Sequence, residues 1–552
     1  MNSQHNGNKP TRIRIIERLV RAVVGWALAV VFCAGFPTPA EAADYSEPFR
    51  PQFHFTPATN WMNDPNGMVY YAGEYHLFYQ FNPWGDKWGH MSWGHAVTKD
   101  LVHWEHLPIA LYEENDVMIF SGSAVVDWKN TSGFGRDGKP PLVAIYTGHH
   151  TKKPLQNQHI AYSNDRGRTW TKYPGNPVLD IGAKDFRDPK AQWHEPTKRW
   201  VMAVSWPLER KVRFYASPNL KEWTHLSDFG PAGAIQGIWE CPDLFPLRIE
   251  GKGGLEKWVL IVNVGSGAPA GGSGCQYFVG NFDGQRFTLD PGSPKRESEL
   301  VSQGKALSQA SARPAAEAAL WADWGRDFYA AVSWNDVPKR DGRRIWLGWM
   351  SNWEYANDVP TAPWRSAMSV PRELALRETP DGLRLLQRPV RELGTLRGRH
   401  HRFGGGAITE ANSWLREQAL RGDSLEMTLE LDPLAKGDQG LKLFLSSQGA
   451  TVVGVNWEQG EVYVDRARSG SQAFHPKFPG RASARLPSRE RRVKLHLLVD
   501  ACSLEVMVND GEQALTTLTF PAAAERGLEF FGPQTDTRVG PVEAWDLKSA
   551  WK

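Results

Sequence analysis

An all-β chain is expected, a five-bladed β-propeller followed by a C-terminal β-sandwich, on three observations. From 57 to about 390 short apolar strands alternate with turn residues and almost no helical periodicity is present. A turn-then-aromatic marker recurs through that stretch. After about 395 the pattern changes to strands of clear in–out alternation. The organisation this predicts is an export signal over 1–42, the propeller over 50–390 and the sandwich over 395–552.

The amino end carries Arg12, Arg14, Arg18 and Arg21, an apolar run from Ala22 to Phe36, then Pro37, Pro39 and the small-x-small site Ala40-Glu41-Ala42. That is the pattern of a cleaved export signal. The run falls short of the roughly 20 apolar residues of a membrane span, and an uncleaved anchor is the alternative. The expected location is therefore secreted or periplasmic, with no membrane attachment after cleavage. The first 42 residues also carry the whole net charge of +3, so the remainder has 59 basic against 59 acidic side chains. A balanced chain has no basic face for nucleic acid. Three cysteines remain, Cys241, Cys275 and Cys502, an odd number that gives no disulfide framework. The 25 tryptophans read mostly as strand filler, with some indole faces suited to stacking on sugar rings.

Within the first region Tyr75 to Tyr79 and Trp258 to Val262 are clear strands. The marker occurs as Asp100 to Trp104, Asp165 to Trp170, Asn219 to Trp223 and Asp283 to Phe287, with the aromatic residues 66, 53 and 64 positions apart. One four-stranded unit per repeat is a propeller blade, and four markers plus an unmarked last unit make five; a sandwich of similar hairpins is the structural alternative. Ser121, Asp188 and Glu240 stand 17, 18 and 17 residues after Trp104, Trp170 and Trp223. Equivalent positions on innermost strands would turn these side chains towards one channel, with Asp64 heading the first unit. The fourth repeat breaks phase: residues 294–320 read as a surface insertion, and Asp323 is the inner-strand candidate after it.

In the second region Ser424 to Leu431, Gly440 to Leu445, Gly460 to Asp465, Val493 to Val499 and Leu504 to Val508 alternate as strands, with Asn509-Asp510-Gly511 as a hairpin turn. The stretch from Arg397 to Gly406, dense in Arg and Gly, is expected to be the linker.

Three carboxylates sit in unusual settings: Asp64 in Trp61 to Gly67, where Pro65 and Asn66-Gly67 suggest a rigid turn; Asp188 between Arg187 and Pro189; and Glu240 in Glu240-Cys241-Pro242-Asp243. Each alone reads as a local turn or strand end. Together they match glycoside cleavage, which needs one carboxylate to attack the anomeric carbon and one carboxylic acid to protonate the leaving oxygen. Asp64 suits the nucleophile and Glu240 the acid/base, its pKa raised by burial and neighbouring carboxylates. Asp188, beside Arg187, is expected to stay ionised and to hold sugar hydroxyls. Neither Cys241 nor His90, His95, His103 and His106 has metal-ligand spacing, so no metal or other cofactor is expected. The glycine-rich run from Gly265 to Gly274 reads as a loop at a channel mouth.

From about His54 to the carboxyl end the sequence resembles glycoside hydrolase family 32, the β-fructofuranosidases that include invertases, exo-inulinases and levanases. The resemblance rests on Trp61 to Gly67, Phe78-Tyr79-Gln80, Trp88-Gly89, Trp93 to Ala96, Phe120 to Ser123, Phe186 to Pro189, Trp239 to Asp243, Ser351 to Trp353, Val464 to Arg466 and Val506 to Gly511. It implies Asp64 as nucleophile, Glu240 as acid/base and Asp188 as transition-state stabiliser. It also implies a terminal-fructosyl pocket lined by Asn63, Gln80, Trp88, Ser121, Arg187 and Trp353, with Phe120 and Trp93 nearby. The activity implied is exported, retaining release of terminal β-D-fructofuranosyl units from levan, inulin or sucrose-type sugars. A fructosyltransferase or an endo-acting fructanase would use the same residues, and a non-catalytic fructan-binding protein is the alternative from another class.

Overall fold

The computed structural model describes residues 45–291, 319–434, 436–447, 449–486 and 492–551. The expected export signal and nearly all of the expected insertion lie outside the described residues.

Five antiparallel sheets follow one another along the chain. The first holds β1 (Asn60–Tyr71), β2 (Glu74–Asn82), β3 (Ser92–Thr98) and β4 (Glu105–Leu111). The second holds β5 (Val117–Val126), β6 (Leu142–His150), β7 (Leu155–Ser163) and β8 (Thr171–Lys172). The third holds β9 (Arg187–His194), β10 (Arg199–Trp206), β11 (Lys211–Ser217) and β12 (Thr224–Phe229). The fourth is β13 (Trp239–Arg248), β14 (Glu256–Val264), β15 (Gly274–Phe282) and β16 (Phe287–Leu289), with β17 (Leu320–Trp321) against β15. The fifth holds β18 (Tyr329–Ser333), β19 (Arg344–Met350), and, past the short β20 (Trp364–Arg365) and β21 (Ala367–Met368), β22 (Arg372–Thr379) and β23 (Gly382–Pro389).

The leading strands β1, β5, β9, β13 and β18 pack each against the next, and β18 returns to β1. A closed ring of five sheets is a five-bladed propeller. The ring is fastened where β20 pairs in parallel with the start of β1. Three of the four markers are Asx turns before an outer strand. Asp100 Oδ1 accepts from the Val102 and His103 N–H, Asn219 Oδ1 from Lys221 and Glu222, and Asp283 Oδ1 from Gln285 and Arg286. Many tryptophans are core: Trp61, Trp93, Trp239, Trp334, Trp346, Trp349 and Trp364 are fully buried.

The chain then builds two sheets packed on an apolar core that includes Leu429, Leu443, Val455, Leu497 and Val506. The strands expected at 424–431, 440–445, 460–465, 493–499 and 504–508 are present, and Asn509, Asp510 and Gly511 all take positive φ in the hairpin. The expected linker is not one. Arg397–Phe403 is a strand paired with Arg538–Leu547, because Arg397 lies over the Trp545 ring at 4.1 Å, reaches Glu426, and His401 turns inward. A 3-10 turn at Arg391–Leu396 makes the connection instead.

Sandwich and propeller meet through buried ions. Glu505 takes Arg372 Nε at 3.0 Å and His54 Nε2 at 2.9 Å, His54 Nδ1 reaches Asp500 at 2.8 Å, and Asp327 takes Arg466 at 2.6 Å. Asp323 belongs here and not on an innermost strand as expected. It pairs with Arg372 at 3.1 Å and accepts from Thr516 Oγ1 at 2.6 Å, and Tyr329 at the head of β18 holds the inner position.

Candidate active site

The same irregularity recurs on all five leading strands. Register slips between Met62 and Pro65 in β1, Phe120 and Gly122 in β5, Arg187 and Lys190 in β9, Glu240 and Asp243 in β13, and Tyr329 and Val332 in β18. Each is a β-bulge, which places extra residues opposite the partner strand and re-aims a side chain. Asp188, Cys241 and Ala330 accordingly take φ of 67°, 44° and 53°. The segment Trp61 to Gly67 is therefore a bulged strand rather than the expected turn, with Gly67 at φ 53° supplying the kink. There a Cβ would come within 2.5 Å of the Phe78 ring. Pro189 and Pro242 are tolerated because β9 and β13 are sheet edges, and Pro65 because β20 pairs only with Asn60 and Trp61 of β1.

These bulges bring Asp64, Asp188 and Glu240 to one cavity of about 350 Å³. Asn63, Gln80, Trp88, Phe120, Ser121, Arg187 and Trp353 line it with them. Trp93 does not: it is buried behind the wall, its Nε1 donating to the Phe120 carbonyl at 3.1 Å. Asp64 Oδ2 accepts from Ser121 Oγ at 2.7 Å, and Oδ1 accepts from Asn63 Nδ2 at 2.9 Å, itself oriented by Trp61 Nε1 at 2.7 Å. Glu240 is gripped on both oxygens, by Arg187 Nε at 3.0 Å and by the Tyr329 hydroxyl at 2.5 Å. Asp188 Oδ2 accepts from the Cys241 N–H at 2.9 Å, and the Cys241 thiol sits 3.4 Å from Asp64 and 3.6 Å from Asp188. Cys241 is thus wedged among the three carboxylates. Burial pushes its thiol, and the Tyr329 phenol, well above their ordinary pKa, so both remain protonated donors.

Charge in this cluster is unbalanced. Burial raises the pKa of Asp64; its bonds from Ser121 and Asn63 pull it down, and Glu240 pushes it up. Asp188 is pushed up to about 7 by burial and by Glu240 and Asp64, against the lowering pull of Arg187. The expectation that Arg187 would keep Asp188 ionised in the ordinary range fails because the guanidinium is shared. It bonds Glu240, Asp185 at 2.9 Å and Gln156 at 3.1 Å.

Four residues escaped sequence reading. Asp185 and Gln156 hold Arg187, His149 stacks on Phe120 at 4.4 Å, and Tyr329 holds Glu240. Asp185 stands two residues before Arg187, a proximity that could have marked it; the others sit on blades where no motif names them. Beside the cavity, and sharing Glu240 and Trp353 with it, lies a second hollow formed by Gln236, Arg210, Gly265 and Ser266. The glycine-rich loop does reach the channel mouth.

Residues 54–389 match the N-terminal domain model of glycosyl hydrolases family 32 and residues 392–546 its C-terminal model. The chain is 47% identical over 544 residues to the levanase of Bacillus subtilis, covering 97% of this chain and 76% of that protein. To the extracellular exo-inulinase inuE of Aspergillus niger it is 37% identical over 569 residues, covering 97% of this chain and 100% of that one. Among solved structures it resembles the exo-inulinase from Aspergillus awamori, with TM-score 0.80, 35% identity, and 92% and 100% coverage of the two chains. It also resembles the β-fructofuranosidase from Schwanniomyces occidentalis complexed with fructosyl-erythritol, with TM-score 0.78, 31% identity, and 93% and 100% coverage.

Proposed function

The chain belongs to glycoside hydrolase family 32, and from that premise we propose that it is an exported exo-fructanase. It releases terminal β-D-fructofuranosyl units from levan or inulin, and from sucrose-type sugars, with retention of configuration. The catalytic unit is the propeller over 50–390, and the sandwich over 395–552 supports it. Relatives named levanase and extracellular exo-inulinase support the substrate class and the location outside the cell.

The observation that carries the reading is the convergence of three carboxylates on one small, one-sided cavity. Asp64 attacks the anomeric carbon of the terminal unit. Its two oxygens are fixed by Ser121 and Asn63, so the attacking lone pair is oriented before substrate arrives. Glu240 protonates the departing oxygen, then takes a proton from the water that releases the fructosyl-enzyme. Tyr329 and Arg187 hold it in line. The hollow of Gln236 and Arg210 adjoins Glu240, the side on which the leaving sugar must stand. Asp188 binds ring hydroxyls and stabilises positive charge as the oxocarbenium ion develops. Gln80, Phe120, Trp88 and Trp353 complete the walls around one furanose.

A product time course on levan, inulin and sucrose tests this. Free fructose as the sole early small product from levan and inulin, fructose with glucose from sucrose, and the absence of both with Asp64→Ala are the expected results. Early oligosaccharides would replace the exo reading by an endo or transferring one, and no product from any of the three would reject the substrate class.

A further inference from the structure

The opposite mouth of the propeller channel carries a second cavity, of about 540 Å³ against about 350 Å³ for the catalytic one. It shares no residue with the catalytic cavity. Trp128, just past the end of β5, and Trp193, near the end of β9, line it together with Lys129, Glu195, Asp336 and Lys339. Five residues of strand separate Asp188 from Trp193, so the two cavities lie about 17 Å apart along the axis. Buried side chains fill the channel between them. Lys190 sits 3.4 Å from Asp243, and Asn335 Nδ2 donates to the carbonyls of Ala124 and Ala191 at 2.9 and 3.0 Å.

We propose that this cavity is a second carbohydrate-binding site, which holds an internal stretch of the polymer whose end is processed at the first; the choice of polymer rests on the function proposed above. Trp128 is 60% exposed, so its indole lies largely in solvent. Yet it is held in place: its Nε1 donates to Asp336 Oδ1 at 2.8 Å and Tyr71 packs edge-on at 5.8 Å. Trp193 is held the same way, by Nε1 to Glu195 Oε2 at 2.6 Å and by the Trp200 edge at 5.3 Å. With their N–H groups committed at the edges, the two rings offer flat apolar area, fixed before a ligand arrives.

The charges identify the ligand class. Two ammonium groups, Lys129 and Lys339, share the lining with two carboxylates, Glu195 and Asp336; Lys129 stands 3.9 Å from Glu195, and Asp336 accepts from the Val126 N–H and Trp128 Nε1. The remaining charged residues of the lining are committed elsewhere: Arg344 lies over Phe245 and donates to the Trp334 carbonyl, and Asp127 accepts from Ser132 and Thr131. A balanced rim does not select a phosphate or a polyanion. Indole faces ringed by ammonium donors and carboxylate acceptors suit a neutral polyhydroxyl chain, whose C–H faces stack while its hydroxyls bond to either sign. Lys129 Nζ stands 4.3 Å over the Trp193 ring and is half exposed, so it must swing aside for a sugar to stack there and can then donate to that sugar's hydroxyls. The volume exceeds that of the catalytic cavity, which leaves room for more than one sugar unit. Only a chain long enough to pass around the propeller rim reaches both cavities, so the second site raises the local concentration of polymer ends and leaves short substrates untouched.

The test uses the full chain. Retardation in gels containing levan or inulin is compared for Asp64→Ala, which cannot turn polymer over, and for Asp64→Ala carrying Trp128→Ala and Trp193→Ala as well. In the active background the same two substitutions are assayed on a fructosyl trisaccharide and on polymer. Expected are loss of most of the retardation, unchanged kcat/KM on the trisaccharide, and a rise in polymer KM on the order of fivefold. If the double variant loses trisaccharide turnover, and so its fold, Trp128→Ala alone is read, since that ring is largely in solvent. Equal retardation and equal polymer KM in the variants would overturn the site, as would retardation by a glucan gel in place of the fructan gels. Failure of the unsubstituted chain to cleave the trisaccharide, with retardation still dependent on Trp128, would instead overturn the function and keep the site.

Discussion

The cavity at the channel mouth and the seam between propeller and sandwich are both built from buried carboxylates, and they treat them in opposite ways. At the seam every acid touches a cation: Glu505 and Asp323 share Arg372, Asp327 has Arg466, and His54 bridges Asp500 and Glu505. Against burial, these partners hold Glu505 down to about 2. At the cavity the Arg187 guanidinium bonds Glu240 and is also spent on Asp185 and Gln156, and Asp188, its neighbour in sequence, rises to about 7. Matched charge makes a rivet. Unmatched charge stores a tendency to bind protons and cationic transition states, which catalysis uses. Burial alone separates the two regions poorly, since Asp64 and Glu505 are both buried; the cation count separates them.

The sharpest way to break this contrast is to delete one acid from each region. Asp64→Ala should cost on the order of 10⁴-fold or more in kcat and leave Tm unchanged or raised, because a crowded, weakly compensated charge is removed. Glu505→Ala should leave kcat of the folded enzyme near normal. It removes one of the two acids that hold Arg372 and one of the two that hold His54, at a cost of about 3 kcal/mol in stability, read by denaturant unfolding. Interchanged outcomes would dissolve the distinction.

Stability against pH sharpens it next. Burial lowers the pKa of His54, but the bonds to Asp500 and Glu505 outweigh this and raise it from 6.5 to about 9. The stabilisation from this raised group is complete below 6.5 and fades as pH climbs through 9. Glu505, lowered from 4.5 to about 2, contributes fully above 4.5 and loses its contribution as pH falls through 2. The seam should therefore be firmest between 4.5 and 6.5, and His54→Gln should flatten the alkaline decline of Tm.

Smaller effects are expected within the cavity. Ser121 donates to Asp64 and pulls its pKa down, so Ser121→Ala should move the acid limb of kcat/KM to higher pH. Trp88, 42% exposed at the rim, should affect substrate affinity more than chemistry. Trp88→Ala should raise KM several-fold with kcat nearly kept, measured by initial rates on a trisaccharide.

Much of this was legible in the residues, for identifiable reasons. Asx turns need Asp or Asn at a fixed place, so the blade repeat leaves a marker, and the phase from marker to leading strand located Ser121, Asp188 and Glu240. Prolines at sheet edges flagged β9 and β13 as exceptional. The fifth blade has no such marker and follows the insertion, so Asp323 was taken for the inner position that Tyr329 holds. Only the fold shows Arg372 beside Asp323. The strand Arg397–Phe403 was hidden by its composition, because its arginines find partners, Trp545 and Glu426, far along the chain. Similarly, Asp188 beside Arg187 in sequence says nothing of where that guanidinium points. Pairing across blades is invisible to local reading, and the charge balance of both regions depends on it.

In the proposed mechanism Asp64 carries the fructosyl unit between the two half-reactions while Glu240 manages the proton. Glu240→Ala incubated with a fructosyl donor bearing a good leaving group should form the covalent intermediate and release it slowly. Acid quench, digestion and mass spectrometry should then find one added fructosyl unit on the peptide containing Asp64. An unmodified Asp64 peptide with the sugar on Asp188, or inverted product with no adduct at any residue, would contradict the account.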